Sequence, residues 1–275
     1  MATTHPVTVR GAGPSYGPSY DLSYDPSYAL SYVDFGGPGA PLLALHGHFG
    51  RARGWAALAA ELAPAHRVIA LEQRAHGSAA PVADVRPDAY LADVAAFLSG
   101  HLGPGPLPVL GHSMGGSVAY RLAAHHPELV SRLVVIEGPA RNEPPVLDAR
   151  DWPRRAASLR ELRALLTERI GPFADYFLES AAEHPDGWGL LFDPETLLRS
   201  QRALLGDWWS DWLGSDCPAL LVHGEDSTVL PTAQAKEMAA RRPDTRLAAF
   251  PGRGHWVHDE DPAGVAAAIR AFLRG

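Results

Sequence analysis

"LPVLGHSMGGSVAY" (residues 107–120) decides the fold. An apolar run, Leu107 to Leu110, leads into Gly111-His112-Ser113-Met114-Gly115, and a helix-forming stretch follows from Met114 to Pro127. A serine between a strand and a helix sits on a tight, strained corner, so its close neighbours must be small. Gly111, Gly115 and Gly116 supply that space. The corner lifts the hydroxyl above the sheet, at the positive end of the following helix. G-x-S-x-G alone is common; with a strand before it, a helix behind it and a further glycine, it points to an activated nucleophile.

Outward from this corner the chain alternates. Strands are expected at 41–47, 67–77, 107–113, 129–138, 219–223 and 245–250, and helices at 54–66, 87–102, 114–127, 232–241 and 262–274. Strands separated by helices call for a parallel sheet covered on both faces. The fold class is therefore α/β, a mostly parallel central sheet flanked by helices. Between 139 and 213 the alternation stops. "SLRELRALLTERIG" opens with a capping box, Ser158 and Glu161, and "DPETLLRSQRALLGDWW" opens with Asp193 as N-cap before Pro194. Trp152, Trp188, Trp208, Trp209 and Trp212 fall in this stretch. It reads as an all-helical lid whose aromatics pack it on the core or line an apolar pocket. The core then comprises 34–138 and 214–275. Residues 1–33 carry Ser-Tyr pairs at 15–16, 19–20, 23–24, 27–28 and 31–32, broken by prolines that argue against a central strand; "ALSYVDFG" at the end of the repeat is the part fit to enter the sheet.

Composition narrows the function. With 275 residues, 46% hydrophobic and 20% charged, the chain can bury one sizeable core. Net charge is −7 with no basic stripe, which argues against nucleic acid as a partner. The single cysteine, Cys217, allows no intrachain disulfide, and the N-terminus lacks the apolar run of a secretory signal. No stretch approaches ~18 consecutive apolar residues, so no membrane span is expected. A cytoplasmic protein acting on a small molecule is the resulting expectation. Thirteen histidines are present without H-E-x-x-H or a similar ligand pair, so neither a metal nor another cofactor is expected.

Four segments, "HGHFG" (46–50), "LEQRAHGSA" (71–79), "GHSMGG" (111–116) and "GRGHWVHDEDP" (252–262), resemble the α/β-hydrolase superfamily, in particular its lidded, esterase-like members. The resemblance spans roughly residues 29 to 275. It implies Ser113 as nucleophile and His255 as general base, with the backbone N–H groups of His48 and Met114 as the oxyanion hole. Two donors there matter because a single one is worth ~3–4 kcal/mol of barrier. His258, beside the acidic run Asp259-Glu260-Asp261, reads as a capping or surface residue. The rings of His46 and His48 read as loop anchors, Phe49 as a candidate pocket wall, and Glu72, Arg74 and His76 as structural.

The third member of the triad departs from the pattern. In "HGEDSTVL" (223–230) the family's usual aspartate position holds Ser227. A serine can orient an imidazole but cannot supply the charge that stabilises its protonated form. Glu137, the first polar residue after the apolar strand 129–136, is the acid this reading selects. Some family members, including haloalkane dehalogenases and zearalenone-lactone hydrolases, take theirs from that strand end. Asp226 is the alternative, at the cost of a one-residue shift in its turn; Glu225 is a weaker one. The implied activity is hydrolysis of a carboxylic ester or lactone of a partly hydrophobic molecule through an acyl-enzyme. Serine at the nucleophile position argues against epoxide and haloalkane chemistry, which need a carboxylate there. Acyl transfer, thioester cleavage or carbon–carbon bond hydrolysis could use the same triad, and a ligand-binding protein could reuse the scaffold.

Overall fold

The computed structural model describes residues 3–8, 29–77, 82–103 and 105–275; most of the Ser-Tyr repeat lies outside them. Its strands are β1 (Thr3–Thr8), β2 (Ala29–Asp34), β3 (Ala40–Leu45), β4 (His66–Glu72), β5 (Leu107–His112), β6 (Val130–Ile136), β7 (Arg141–Asn142), β8 (Ala181–His184), β9 (Gly187–Leu190), β10 (Gly206–Asp207), β11 (Ala219–Gly224) and β12 (Thr245–Phe250). Its helices are α1 (Ala56–Leu62), α2 (Pro87–His101), α3 (Met114–His125), α4 (Leu159–Ile170), α5 (Ala174–Leu178), α6 (Pro194–Leu204), α7 (Trp209–Trp212), α8 (Thr232–Arg241), α9 (Val257–Glu260) and α10 (Pro262–Arg274).

Eight strands form one sheet in the order β1-β2-β4-β3-β5-β6-β11-β12. β1 pairs antiparallel with β2, and β2 antiparallel with β4; from β4 to β12 every pairing is parallel. The last Ser-Tyr unit does enter the sheet as β2.

The central strands bury both faces, which is why they read as continuous apolar runs. Alternate residues serve opposite sides. Leu43, Leu45, Leu133 and Val135 face a cluster built with α2, α3 and α8. Leu42, Ala44, Val134 and Ile136 face one built with α1 and α10. The sheet thus leaves the carboxyl ends of β3, β5, β6, β11 and β12 side by side along one rim, where ligands of open α/β sheets bind.

The insertion between β6 and β11 packs over that rim. Its core joins Trp152, Leu162, Leu166, Phe177 and Leu197 to Phe49 from the loop after β3. Both predicted caps form: the Ser158 and Asp193 side chains accept from the N–H of Glu161 and Thr196. The expectation of an all-helical lid is corrected by the antiparallel hairpin β8–β9 and by the short pairing of β7 with β10. Glycines at 187 and 189 and a two-residue turn at Pro185-Asp186 favour a hairpin over a helix there. The tryptophans divide. Trp152 stacks on Phe49, whereas Trp212 is fully buried against Tyr120 and donates its indole N–H to the Met238 carbonyl at 3.0 Å. Trp208 and Trp209 lie beneath Arg121 and Arg241. The last three anchor the end of the lid to the core.

Candidate active site

Ser113 stands between β5 and α3 with φ 53° and ψ −118°, a conformation strained for any residue but glycine. Two backbone bonds pin it, its own N–H to the Ile136 carbonyl (2.8 Å) and the Ser117 N–H to its carbonyl (3.0 Å). The glycines are obligatory for a steric reason. A Cβ on Gly111 would lie 2.1 Å from the Gly115 carbonyl oxygen, and one on Gly115 would lie 2.2 Å from the Leu45 oxygen.

One strand over, Glu137 repeats the device. It follows β6 with φ 55° and is fully buried. Its carboxylate accepts four hydrogen bonds. His223 Nδ1–H (2.7 Å) and the Gly224 N–H (2.8 Å) reach Oε1, while His255 Nδ1–H (3.2 Å) and the Ser227 hydroxyl reach Oε2. Burial pushes this carboxyl's pKa up, but the donors from His223, His255 and Ser227 outweigh burial and hold it below its ordinary value. Glu137 is therefore an anion at neutral pH. Ser227, at the position the family usually gives to an aspartate, donates its hydroxyl to the Glu137 carboxylate. The side chain of Asp226, the alternative acid, is exposed, and its backbone N–H bonds the Arg253 carbonyl.

His255 follows β12 and is nearly buried, its side chain 10% exposed. His112, the residue before Ser113, donates Nε2–H to the His255 carbonyl at 3.0 Å, and the two rings lie 4.7 Å apart. This contact ties the His255 backbone to the residue that precedes Ser113. His258 is not the surface residue expected: it is 5% exposed, packed 4.2 Å from the His112 ring and 5.1 Å from Trp55. Burial, reinforced by repulsion from His255, lowers its pKa to about 3, and burial likewise keeps His112 far below the usual imidazole range. Both stay neutral, so neither competes with His255 for a proton.

The loop after β3 completes the rim. Neither the His48 N–H nor the Met114 N–H, in the first turn of α3, finds an acceptor among the described residues, and both residues line a cavity of about 10 Å³. Three lid residues grip this loop. Tyr176 donates its hydroxyl to the His48 carbonyl (3.1 Å), Ser180 donates to the Phe49 carbonyl (2.7 Å), and the Ser200 hydroxyl bonds the His48 ring at Nε2 (3.0 Å). Phe49, with φ 66°, packs into the lid cluster and does not wall an open pocket. His46 is an anchor: its Nδ1–H donates to the Gly47 carbonyl, and its Nε2 accepts from the Gln73 N–H. Glu72 binds Arg51 and the Ala52 N–H, and Arg74 binds Asp93, as structural residues do. Sequence spacing could not reveal the lid's grip or the role of His223. The polar residues Tyr176, Ser180, Ser200 and His223 look alike whether they face solvent or the rim.

Four loops, after β3, β5, β6 and β12, thus bring Ser113, His255, Glu137 and the two free N–H groups to one rim. Over that frame the model of the alpha/beta hydrolase family matches residues 42–268. The chain belongs to this family. Among α/β-hydrolases with curated sequences it is similar to a 2-(acetamidomethylene)succinate hydrolase of Mesorhizobium japonicum, 28% identical over 86% of this chain and 89% of that protein. An sn-1-specific diacylglycerol lipase of Danio rerio is 27% identical over 89% of this chain and 82% of the relative. Among solved α/β-hydrolase structures, an E-2-(acetamidomethylene)succinate hydrolase superposes with a TM-score of 0.85 over the full length of both chains at 23% identity, which shows a shared fold. The chain is accordingly a hydrolase-fold enzyme.

One consequence of the lid's grip is measurable. Tyr176→Phe removes the donor to the His48 carbonyl and nothing else polar. If the His48 N–H serves as the expected oxyanion donor, kcat on an ester falls about tenfold with KM changed less than twofold, because loosening it weakens transition-state binding alone. An unchanged kcat, or a loss confined to KM, would show that the loop holds its place without the lid.

Proposed function

We propose that the protein is a serine hydrolase cleaving a carboxylic ester or lactone of a small, partly hydrophobic molecule through an acyl-enzyme. The observation that carries the reading is the contact of an ionised, buried Glu137 with His255 Nδ1, opposite the corner that presents Ser113. That contact fixes the tautomer of His255 with its proton on Nδ1 and leaves Nε2 as the basic nitrogen. Nε2 takes the proton of Ser113 as Oγ attacks the carbonyl carbon. The tetrahedral oxyanion is held by the N–H groups of His48 and Met114. The imidazolium, stabilised by Glu137, gives its proton to the leaving alkoxide. Water then repeats the sequence on the acyl-enzyme: His255 takes its proton, hydroxide adds to the acyl carbon, and Ser113 leaves reprotonated. The apolar lid cluster supports a partly hydrophobic substrate, and the relative named as a diacylglycerol lipase supports the bond type.

A fluorophosphonate probe tests the nucleophile, and turnover of p-nitrophenyl acetate, p-nitrophenyl butyrate and a γ-lactone tests the bond. Labelling of the wild type but not of Ser113→Ala, with turnover of an ester or the lactone, is the expected result. Absence of labelling would overturn the serine mechanism; labelling without turnover of any of the three would overturn the bond assignment.

A further inference from the structure

We propose that His223, a residue outside the triad, is a positioning residue for its acid, and that the enzyme works through a chain Thr232–His223–Glu137–His255. The inference rests on the serine-hydrolase reading and extends it to the far side of the carboxylate. His223 is the penultimate residue of β11 and is fully buried. Its two ring nitrogens are both engaged, Nδ1 with Glu137 Oε1 at 2.7 Å and Nε2 with the Thr232 hydroxyl at 2.9 Å. Because an ionised carboxylate can only accept, the proton between His223 and Glu137 belongs to Nδ1. In the neutral ring Nε2 is then an acceptor, and the Thr232 hydroxyl, at the start of α8, donates to it.

The glutamate needs this support for two reasons. Its backbone is strained at φ 55°, and its side chain must cross from β6 to the loop after β12. One oxygen faces the catalytic base, so the rotation of the carboxyl group is set by what grips the other. His223 and the Gly224 N–H hold Oε1, and the His223 bond is shorter than the one to His255. A carboxylate fixed on its far oxygen cannot turn away from His255 as the imidazole charges and discharges. The same donors draw negative charge from Oε2, so His223 also tempers how strongly Glu137 favours the protonated form of His255.

The pH profile separates this from a merely structural role. The groups that face His255 are Glu137, His112 and His258; those that face His223 are Glu137 and Thr232. Asp259 stands beyond His258, 3.8 Å from its Nε2. Without the His223 donor, Glu137 concentrates more charge on His255 Nδ1–H. The imidazolium is then stabilised, and the base becomes protonated at a higher pH. The acid limb of kcat/KM for p-nitrophenyl acetate should therefore move upward, by about one pH unit for loss of a hydrogen bond to a charged group. In His223→Phe, kcat should also fall about tenfold to a hundredfold with KM little changed. His223→Asn, whose amide N–H lies where Nδ1–H was, should recover most of both. Thr232→Val, which buries no new charge, should show the same limb displacement at smaller size.

Fold loss would scale activity equally at every pH and leave the limb in place. A limb unmoved in both His223→Phe and Thr232→Val overturns the proposal, as does an asparagine variant no better than the phenylalanine one. Fluorophosphonate labelling of the wild type, run alongside, distinguishes this failure from failure of the serine-hydrolase reading itself: an unlabelled wild type overturns both, a labelled one with an unmoved limb overturns only the role of His223.

Discussion

Glu137→Gln should lower kcat on an ester by roughly 10³–10⁴-fold while the protein stays folded, because it removes the charge that stabilises protonated His255 and keeps nearly the same shape. Glutamine also brings an amide N–H₂ where the pocket offers donors, since His223, Gly224, Ser227 and His255 all point N–H or O–H groups at the two oxygens. Asp226→Asn, at an exposed side chain, should change kcat less than threefold, about the size of a surface effect. Steady-state kinetics on the purified variants decide between them, and the reverse ranking would return the acid to the loop after β11. A stricter version adds Ser227→Asp to Glu137→Gln. The Ser227 hydroxyl already reaches the oxygen that touches His255, so an aspartate there lies within range of the ring. The double variant should regain at least about tenfold over Glu137→Gln alone, and failure to regain any activity would argue that His255 accepts a carboxylate only from β6.

The second large effect is expected at a residue without a side chain. A Cβ on Gly115 would sit 2.2 Å from the Leu45 carbonyl oxygen and 2.6 Å from that of His46. Both obstacles are backbone, so the clash can be relieved only by moving α3 away from β3. Gly115→Ala should therefore destabilise the fold by about 1–3 kcal/mol, as overpacking does. It should also cut kcat/KM by more than about a hundredfold, the usual consequence of a displacement near 1 Å in a reacting constellation. Thermal unfolding and kinetics together check this. Gly54→Ala is the control, since a Cβ at Gly54 meets nothing within 4 Å. A Gly115→Ala variant as stable and active as Gly54→Ala and the wild type would mean that the corner tolerates the methyl group and that glycine at 115 serves another purpose.

Much of this site was legible in the sequence because its parts lie at ends of strongly apolar strands. "VVIEG" marks Glu137 as plainly as "VLGHS" marks Ser113: in each case four or five buried residues end in a polar one, and a parallel sheet places both ends on one rim. Ser227 in place of the family's usual aspartate pointed to another carboxylate on this rim, and Glu137 is one that contacts the His255 ring. What escaped the reading depends on pairings with no local signature. The ring of His258 is buried by Trp55 and His112, from two other segments, while its neighbours in sequence are acidic and suggest a wet surface. The hairpin β8–β9 is short, and its single partner, Ala156 against Trp188, is supplied by a loop. The strand β1 pairs with β2 at the edge of the sheet, and its own sequence, TTHPVT, includes a proline and shows no apolar alternation.

The hydroxyls of Tyr176, Ser180 and Ser200 have a consequence for turnover. With the insertion seated, the space beside His48 and Met114 holds about one water molecule, while Ser113 itself stays partly exposed. Lifting the insertion removes the bonds that hold the His48 carbonyl, the His48 ring and the Phe49 carbonyl. Any movement of the insertion is therefore passed to the loop that carries the proposed oxyanion donor, and that donor is held in place only while the insertion is seated. A substrate that wedges the insertion away from the rim is thus expected to lose turnover before it loses binding.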